Sequence, residues 1–217
     1  MPTYNMEMVL EWAKVFPENA DMGNPDGPRA AQAIHKKGGQ YIVNAYFTSQ
    51  DQIDKLLEDG LDPHPMNSNR LVQGNPEFGI GTYMKLKREV ADNIKEFEGK
   101  GGTQVVNFGG PVGVLNITDG IENKREWNLE EDGLIGNGSK CRVLVAVYDA
   151  GRLKGTRLEA VQVVDHIPYV SEGGGQPTGG GLNGFFKDLT AETKAAPSAP
   201  VKAKKAAAAV AEDEIPF

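Results

Sequence analysis

Alternating apolar and polar positions predict that this chain folds mainly as β-strands. Side chains two positions apart share one face of a strand, so each run of alternation predicts a strand with one buried side. In residues 7–16 the buried side would hold Met8, Leu10, Trp12 and Phe16. The predicted strands cover residues 7–16, 40–48, 83–88, 104–108, 112–117, 140–148 and 156–167.

Two stretches show helical spacing. A capping box at Ser49 and Gln52, followed by apolar residues at helical spacing, predicts a helix over residues 50–59. A second short helix is predicted over residues 91–98, where apolar residues lie three positions apart. Long loops rich in Pro and Gly are predicted over residues 17–28 and 62–78. Many strands, few helices and no alternation of strand and helix predict a small β-barrel or sandwich.

The composition changes after residue 170. We predict one folded domain over residues 1–170, then a flexible linker over residues 171–210 that is rich first in Gly and then in Ala, Lys and Pro. Residues 211–217 are predicted to form an exposed acidic tip. An exposed Phe beside acids indicates a partner with a basic-rimmed apolar pocket, and a purely solubilising tail is the alternative. The predicted partner-binding residues are Glu212, Asp213, Glu214, Ile215, Pro216 and Phe217.

The net charge of −7 is not confined to the tail, because residues 1–170 already carry −6. Any surface that binds anions must therefore be a local patch. No apolar run approaches the roughly 20 residues of a membrane span, and residues 1–18 do not have the pattern of a secretory signal, which predicts a cytoplasmic protein. Cys141 is the single cysteine, and its apolar surroundings predict a buried thiol rather than a nucleophile.

One predicted strand presents an aromatic residue and two lysines on the same side. Tyr83, Lys85 and Lys87 alternate with Met84 and Leu86, which point the other way. This combination suits a nucleic-acid strand, since a base can stack on the ring while the lysines pair with phosphates. A solvated face with no ligand is the alternative reading.

A second basic stretch covers residues 136–157, where five cations meet the single acid Asp149. In the strand over residues 140–148, Arg142 and Tyr148 fall on the face opposite the apolar one, as a cation and an aromatic platform. The candidate nucleic-acid-binding residues of both stretches are Tyr83, Lys85, Lys87, Lys140, Arg142, Tyr148, Arg152, Lys154 and Arg157.

The sequence argues against an enzyme. His35, His64 and His166 are far apart and have no metal-ligand spacing, so neither a metal nor a cofactor is predicted. The glycine run over residues 173–181 lacks the strand, helix and Lys-Ser/Thr ending of a phosphate loop. A hydrolase with carboxylates on its loops and a protein-interaction or assembly module that binds no DNA are the competing hypotheses.

Several segments, taken together and in order, resemble the single-stranded DNA-binding proteins of short-tailed phages. Residues 134–140, with the sequence LIGNGSK, lead into the strand over residues 143–148, and residues 155–164 follow. The Gly-Gly-Pro segment at residues 109–111 and the basic strand at residues 83–88 occur in the order of that family. The resemblance covers residues 78–168. It implies an OB-fold, a five-stranded barrel that binds single-stranded DNA, and an acidic C-terminal tail that contacts replication partners.

The tip itself is similar to the tail of bacterial single-stranded DNA-binding proteins, in which acids precede Ile-Pro-Phe. The two resemblances imply a role in phage DNA replication, recombination and repair in the host cell cytoplasm. They imply DNA polymerase and helicase-primase as partners, with host repair proteins added through the tail. The sequence leaves a homodimer as an open alternative.

Overall fold

The computed structural model describes residues 2–61, 70–99, 102–150 and 153–170, so the predicted linker and acidic tip lie outside the described residues. Within them the chain is mainly β, as predicted. The strands are β1 (Thr3–Lys14), β2 (Gln40–Phe47), β3 (Leu71–Gln73), β4 (Thr82–Glu89), β5 (Ile94–Gly99), β6 (Gly102–Asn107), β7 (Gly113–Asn116), β8 (Arg125–Glu126), β9 (Lys140–Ala150) and β10 (Leu153–Asp165). The α-helices are α1 (Arg29–Lys36), α2 (Gln50–Glu58) and α3 (Leu129–Asp132).

Eight of these strands form one sheet in the order β3-β4-β2-β1-β9-β10-β7-β8, and β5 pairs with β6 in a separate hairpin. The sheet curls until β4 meets β10, where Arg88 Nη1 donates to the carbonyl oxygen of Leu158 at 3.3 Å. β4 and β10 run in the same direction, since β4, β2, β1, β9 and β10 pair antiparallel in succession. This strand order, closed by the β4 to β10 contact, is consistent with an OB-like fold.

The inner faces of these strands enclose a single hydrophobic core. The face of β9 that was predicted to be buried is buried, which confirms the alternation in that strand. The Cys141 thiol is fully buried there, as predicted, and burial raises its pKa far above the ordinary value. The residues that contribute most to the core from the sheet are Met8, Leu10, Val43, Phe47, Met84, Leu86, Cys141, Val143, Val145, Leu158, Val161 and Val163.

Helix α2 forms where its capping box predicts it. The backbone N–H of Ser49 donates to the Gln52 side chain at 3.4 Å, and Ile53 and Leu56 pack into the core. Leu57, the third residue of the predicted apolar stripe, is 42% exposed. Among the described residues, no helix is long and apolar enough to span a membrane.

The helix predicted over residues 91–98 is wrong, because this segment is β5 of the β5-β6 hairpin. Phe97 pairs with Gln104, and Gly99 pairs with Gly102 at the end of the hairpin. The neighbouring β-branched pair Val105 and Val106 provides a partner strand, and pairing with it outweighs the weak local spacing. Helix α1 and strand β3 were not predicted; α1 is eight residues long and buries none of them.

The predicted inward position of Trp12 is also wrong. Between the pairs Glu11 with Asn44 and Lys14 with Ile42, two residues of β1 face a single residue of β2. The extra residue makes a β-bulge, which shifts the alternation by one position. Trp12 has a φ of +53° and its side chain is 59% exposed.

Candidate nucleic-acid interface

Strand β4 presents the predicted aromatic and cationic residues on the outer side of the sheet. Met84 and Leu86 have no exposure and belong to the core, so the residues between them point away from it. Lys85 lies opposite Asn44 of β2, and Lys87 lies opposite Ile42. The sequence prediction of which β4 residues share a face is therefore confirmed.

Five cations lie on or beside this outer surface, and we call Lys14, Lys37, Arg70, Lys85 and Lys87 the basic face. Lys14 and Lys87 both pair with the same residue of β2, so two strand spacings, about 10 Å, separate their backbones. Partial burial lowers the pKa of the Lys87 ammonium, and the positive charges of Lys85, Lys37 and Arg70 lower it further, while the negative charge of Asp21 acts in the opposite direction. The positive side chains of the basic face thus lie close enough to repel one another.

The acids near the basic face already have partners. Glu11 Oε2 accepts hydrogen bonds from Asn44 Nδ2 at 3.0 Å and from the Tyr46 hydroxyl at 3.1 Å. Glu89 pairs with Lys37 at 2.8 Å, and its hydrogen bonds outweigh burial to lower the pKa of its carboxyl. Lys85, Lys87 and Arg70 have no ion pair among the described residues.

Tyr83 provides the ring that the sequence predicted beside these lysines. Its centroid lies 4.9 Å from that of Tyr46, at an interplanar angle of 41°, and its side chain is half-buried. Tyr46 is itself buried, 1% exposed, and is held by Glu11 and by the Asn75 backbone N–H. Tyr83 is therefore fixed in position next to Lys85, with part of its ring open to solvent.

Lys140 and Arg142 extend the cationic surface across β9. Lys140 lies opposite Val9 of β1, in the same cross-strand row as Tyr46 and Tyr83. Its Nζ is 3.9 Å from Asp165, and its side chain remains 58% exposed. Arg142 is half-buried and lies opposite Glu7 of β1. Of the two, Lys140 is the more accessible.

Tyr148 lies in a packed aromatic cluster rather than on an open platform. Its ring centroid is 5.0 Å from that of Phe108 and 6.1 Å from that of Phe97, both in edge-on or tilted contact. The ring also covers Gly155 on β10, where a Cβ atom would collide with it. Burial raises the pKa of the Tyr148 phenol, while the charge of Arg157 lowers it. The ring thus anchors the β5-β6 hairpin on the barrel.

The carboxylate of Glu159 binds both Arg88 and Arg157 where β4 meets β10. Arg88 Nη1 lies 2.6 Å from Glu159 Oε2, and Arg157 Nε donates to Glu159 Oε1 at 2.7 Å. Arg157 is 8% exposed, and its Nη1 is buried without a hydrogen-bond partner. The guanidinium predicted to bind phosphate is thus enclosed at the β4 to β10 contact.

Lys154 is engaged at the end of helix α2 rather than on the basic face. Lys154 Nζ donates to the Asp59 carbonyl oxygen at the C-terminal end of α2, where a cation interacts favourably with the helix dipole. Arg152, and the whole set of residues Glu212, Asp213, Glu214, Ile215, Pro216 and Phe217, lie outside the described residues.

Trp12 is an exposed aromatic residue that the sequence analysis predicted to be buried. Its backbone N–H donates to Asn137 Oδ1 at 2.8 Å, and it lies two residues before Lys14 of the basic face. The sequence offered one clue, the Asn137-Gly138 turn in the loop before β9, but that turn does not show which strand it contacts.

The described residues hold no group of three or more His, Cys, Asp or Glu side chains arranged to bind a metal ion. His166 lies edge-on to Trp127 at 4.8 Å, and His35 lies in the last turn of α1. His64 lies outside the described residues.

Comparisons with known proteins give a structural likeness but no match to a family model or a curated sequence. The crystal structure of gp2.5, a single-stranded DNA-binding protein encoded by bacteriophage T7, is 17% identical to the chain. The alignment covers 81% of this chain and 98% of that chain, with a TM-score of 0.43.

Proposed function

We propose that this protein binds single-stranded DNA, with little sequence preference, through the basic face and its extension at Lys140 and Arg142. The observation that carries this proposal is the group of cations around Lys87 in a protein whose net charge is −7. Their mutual repulsion is unfavourable for the free protein. A phosphate backbone laid across them would relieve that repulsion.

The side chains of the basic face favour single-stranded DNA over double-stranded DNA. The cations lie on the outer side of the β-sheet, with the fixed ring of Tyr83 among them. An unpaired base can stack on such a ring, and stacking is tolerant of sequence because every base has a π-face. Contacts with phosphates and rings do not read base edges, so weak sequence preference follows.

We further propose that the chain is an OB-fold protein of phage DNA replication, recombination and repair, which acts in the host cell cytoplasm. The strand order and the β4 to β10 closure support the fold assignment. Tyr148, Lys154 and Arg157 are left out of the proposed interface, because each has a packing or hydrogen-bonding role elsewhere. Arg152 remains a candidate on its charge alone.

The acidic tip completes the proposal. Glu212, Asp213 and Glu214 resemble a short phosphate strand in charge, so they would compete with DNA for the basic face. Ile215, Pro216 and Phe217 would bind an apolar pocket on replication proteins such as DNA polymerase or helicase-primase, or on host repair proteins. DNA binding would then release the tip for its partner, and the coupling is reciprocal.

The DNA-binding proposal is tested by the salt dependence of binding to a fluorescent oligo-dT, followed by anisotropy. The double variant Lys85→Ala/Lys87→Ala is compared with Lys124→Ala, an exposed lysine that lies next to β8. We expect each lost phosphate contact to reduce the slope of log affinity against log salt by about 0.7.

Lys124→Ala should leave that slope unchanged. Absence of oligo-dT binding by the unmodified protein at low salt would refute the proposal. An unchanged slope in the double variant would show that DNA binds at another surface.

A further inference from the structure

We infer that Trp12 is a base-stacking residue, held out of the protein by the β1 bulge so that a nucleobase can stack on its indole ring. The inference rests on the proposed function and extends it from phosphate binding to a named contact with the bases. Three independent features of Trp12 support it: its backbone conformation, its exposure and its neighbours.

The backbone conformation at Trp12 is energetically unfavourable for a residue with a side chain. Its φ of +53° lies in the left-handed region, which no other non-glycine residue of the described chain adopts. Bulges of this kind usually place Gly at that position, because a side chain there is strained against the backbone. Strain that persists at a large aromatic residue points to a function for that residue.

The exposure of the indole ring is equally unfavourable. The side chain is 59% exposed, and it takes part in none of the ring contacts that hold the other tryptophan, Trp127. Trp127 instead stacks near Phe16 and donates its Nε1–H to the Gly133 carbonyl oxygen at 2.9 Å. The two tryptophans therefore have opposite environments, one open to a ligand and one packed.

The bulge fixes the position of Trp12 through the loop before β9. Leu10 N–H donates to the Ser139 carbonyl oxygen at 2.9 Å, and Gly138 N–H donates to the Leu10 carbonyl oxygen at 2.8 Å. Asn137 then accepts from the Trp12 N–H at 2.8 Å. A backbone held on this side loses little further freedom when a ligand binds, which favours affinity.

The neighbouring charges select the kind of ligand. Lys14 lies two residues after Trp12, and Lys140 lies opposite Val9, three residues before it. Both lysines are exposed. An exposed indole with two exposed lysines at nearby strand positions suits a polyanion with flat rings, and single-stranded DNA has both properties. An apolar protein partner would need the lysines to lose hydration without any compensating charge.

The test uses the two tryptophans as separate reporters. In Trp127→Phe only Trp12 fluoresces as tryptophan, and in Trp12→Phe only Trp127 does. Each variant is titrated with oligo-dT and with an abasic oligonucleotide of the same length, which has the same charge but no bases. We expect oligo-dT to quench Trp127→Phe strongly and Trp12→Phe weakly, and the abasic strand to quench neither.

Affinity gives a second, independent readout. Trp12→Ala should bind oligo-dT about 5- to 150-fold more weakly, as expected for one lost stacking contact. Its salt dependence should stay unchanged, because no charge is removed, and its affinity for the abasic strand should stay near that of the unmodified protein. Lys85→Ala/Lys87→Ala should show the opposite pattern.

Different results would refute stacking on Trp12 and DNA binding itself. If oligo-dT binds by anisotropy but the Trp12 emission does not change, or if Trp12→Ala binds as well as the unmodified protein, stacking on Trp12 is refuted and DNA binding stands. If the unmodified protein does not bind oligo-dT at low salt, the proposed function itself is refuted.

Discussion

At the scale of single residues, the molecule keeps a large aromatic side chain where the backbone favours glycine. The local pattern predicted Trp12 to be buried, because strict alternation continues the inner row of Met8 and Leu10. One extra residue in β1 reverses that prediction. Alternation alone does not reveal a bulge, since the bulge depends on contacts with Ser139 and Asn137, more than 120 residues away in the chain.

The strain at Trp12 predicts a difference in stability between two small replacements. Trp12→Gly should be more stable than Trp12→Ala by about 1 kcal/mol, because Gly adopts a positive φ freely and Ala does not. Both variants lose the same indole ring, so its contribution to the free energy of unfolding is absent from the difference between them. Urea unfolding of the two variants gives the difference directly. Equal stability would mean that the left-handed backbone at Trp12 costs little.

At the scale of elements, the β5-β6 hairpin depends on aromatic packing rather than on the main sheet. Phe97, Phe108 and Tyr148 join it to β9, while β5 and β6 pair only with each other among the described strands. The sequence predicted Tyr148 to be a platform for a base, since residue type and strand face were all that could be assessed. The side chains that cover it come from a hairpin that was itself predicted to be partly helical.

Replacing Tyr148 separates packing from DNA contact. Tyr148→Ala should destabilise the protein by about 2–3 kcal/mol, less than a fully buried ring because Tyr148 is half-buried. Tyr148→Phe keeps the ring and should change stability by less than about 0.5 kcal/mol. Urea unfolding measures both, and oligo-dT affinity should remain unchanged in both variants under conditions where they are folded. A clear loss of affinity in folded Tyr148→Ala, which has no ring for a base to stack on, would return Tyr148 to the interface.

At the scale of the whole molecule, local pattern predicted most strands but not how they close. The inner faces of β2, β4 and β9 followed from alternation, because one side of each strand is core. The contact of Arg88 with Leu158 and Glu159 joins residues about 70 positions apart, and no local pattern contains it. The same closure explains Arg157, whose charge suggested phosphate binding and whose surroundings enclose it with Glu159.

Under the proposed function, the acidic tip would compete directly with DNA for the basic face. The composition of residues 171–210 predicts a flexible tether, and short flexible tethers give effective concentrations in the millimolar range. If the tip binds the basic face with millimolar affinity, it occupies that face about half the time. The neutralised variant Glu212→Gln/Asp213→Asn/Glu214→Gln should therefore bind oligo-dT about twofold more tightly at low salt.

The residues that follow the acids provide the control for this prediction. Phe217→Ala keeps all three acids, so its affinity for oligo-dT should equal that of the unmodified protein, while its binding to a replication partner should weaken. Anisotropy titrations at low and high salt compare the two variants, and the gain from neutralisation should vanish at high salt because screening removes the competition. An unchanged affinity after neutralisation would leave the tip with partner binding alone, and an equal gain in Phe217→Ala would mean that the apolar residues, not the acids, occupy the basic face.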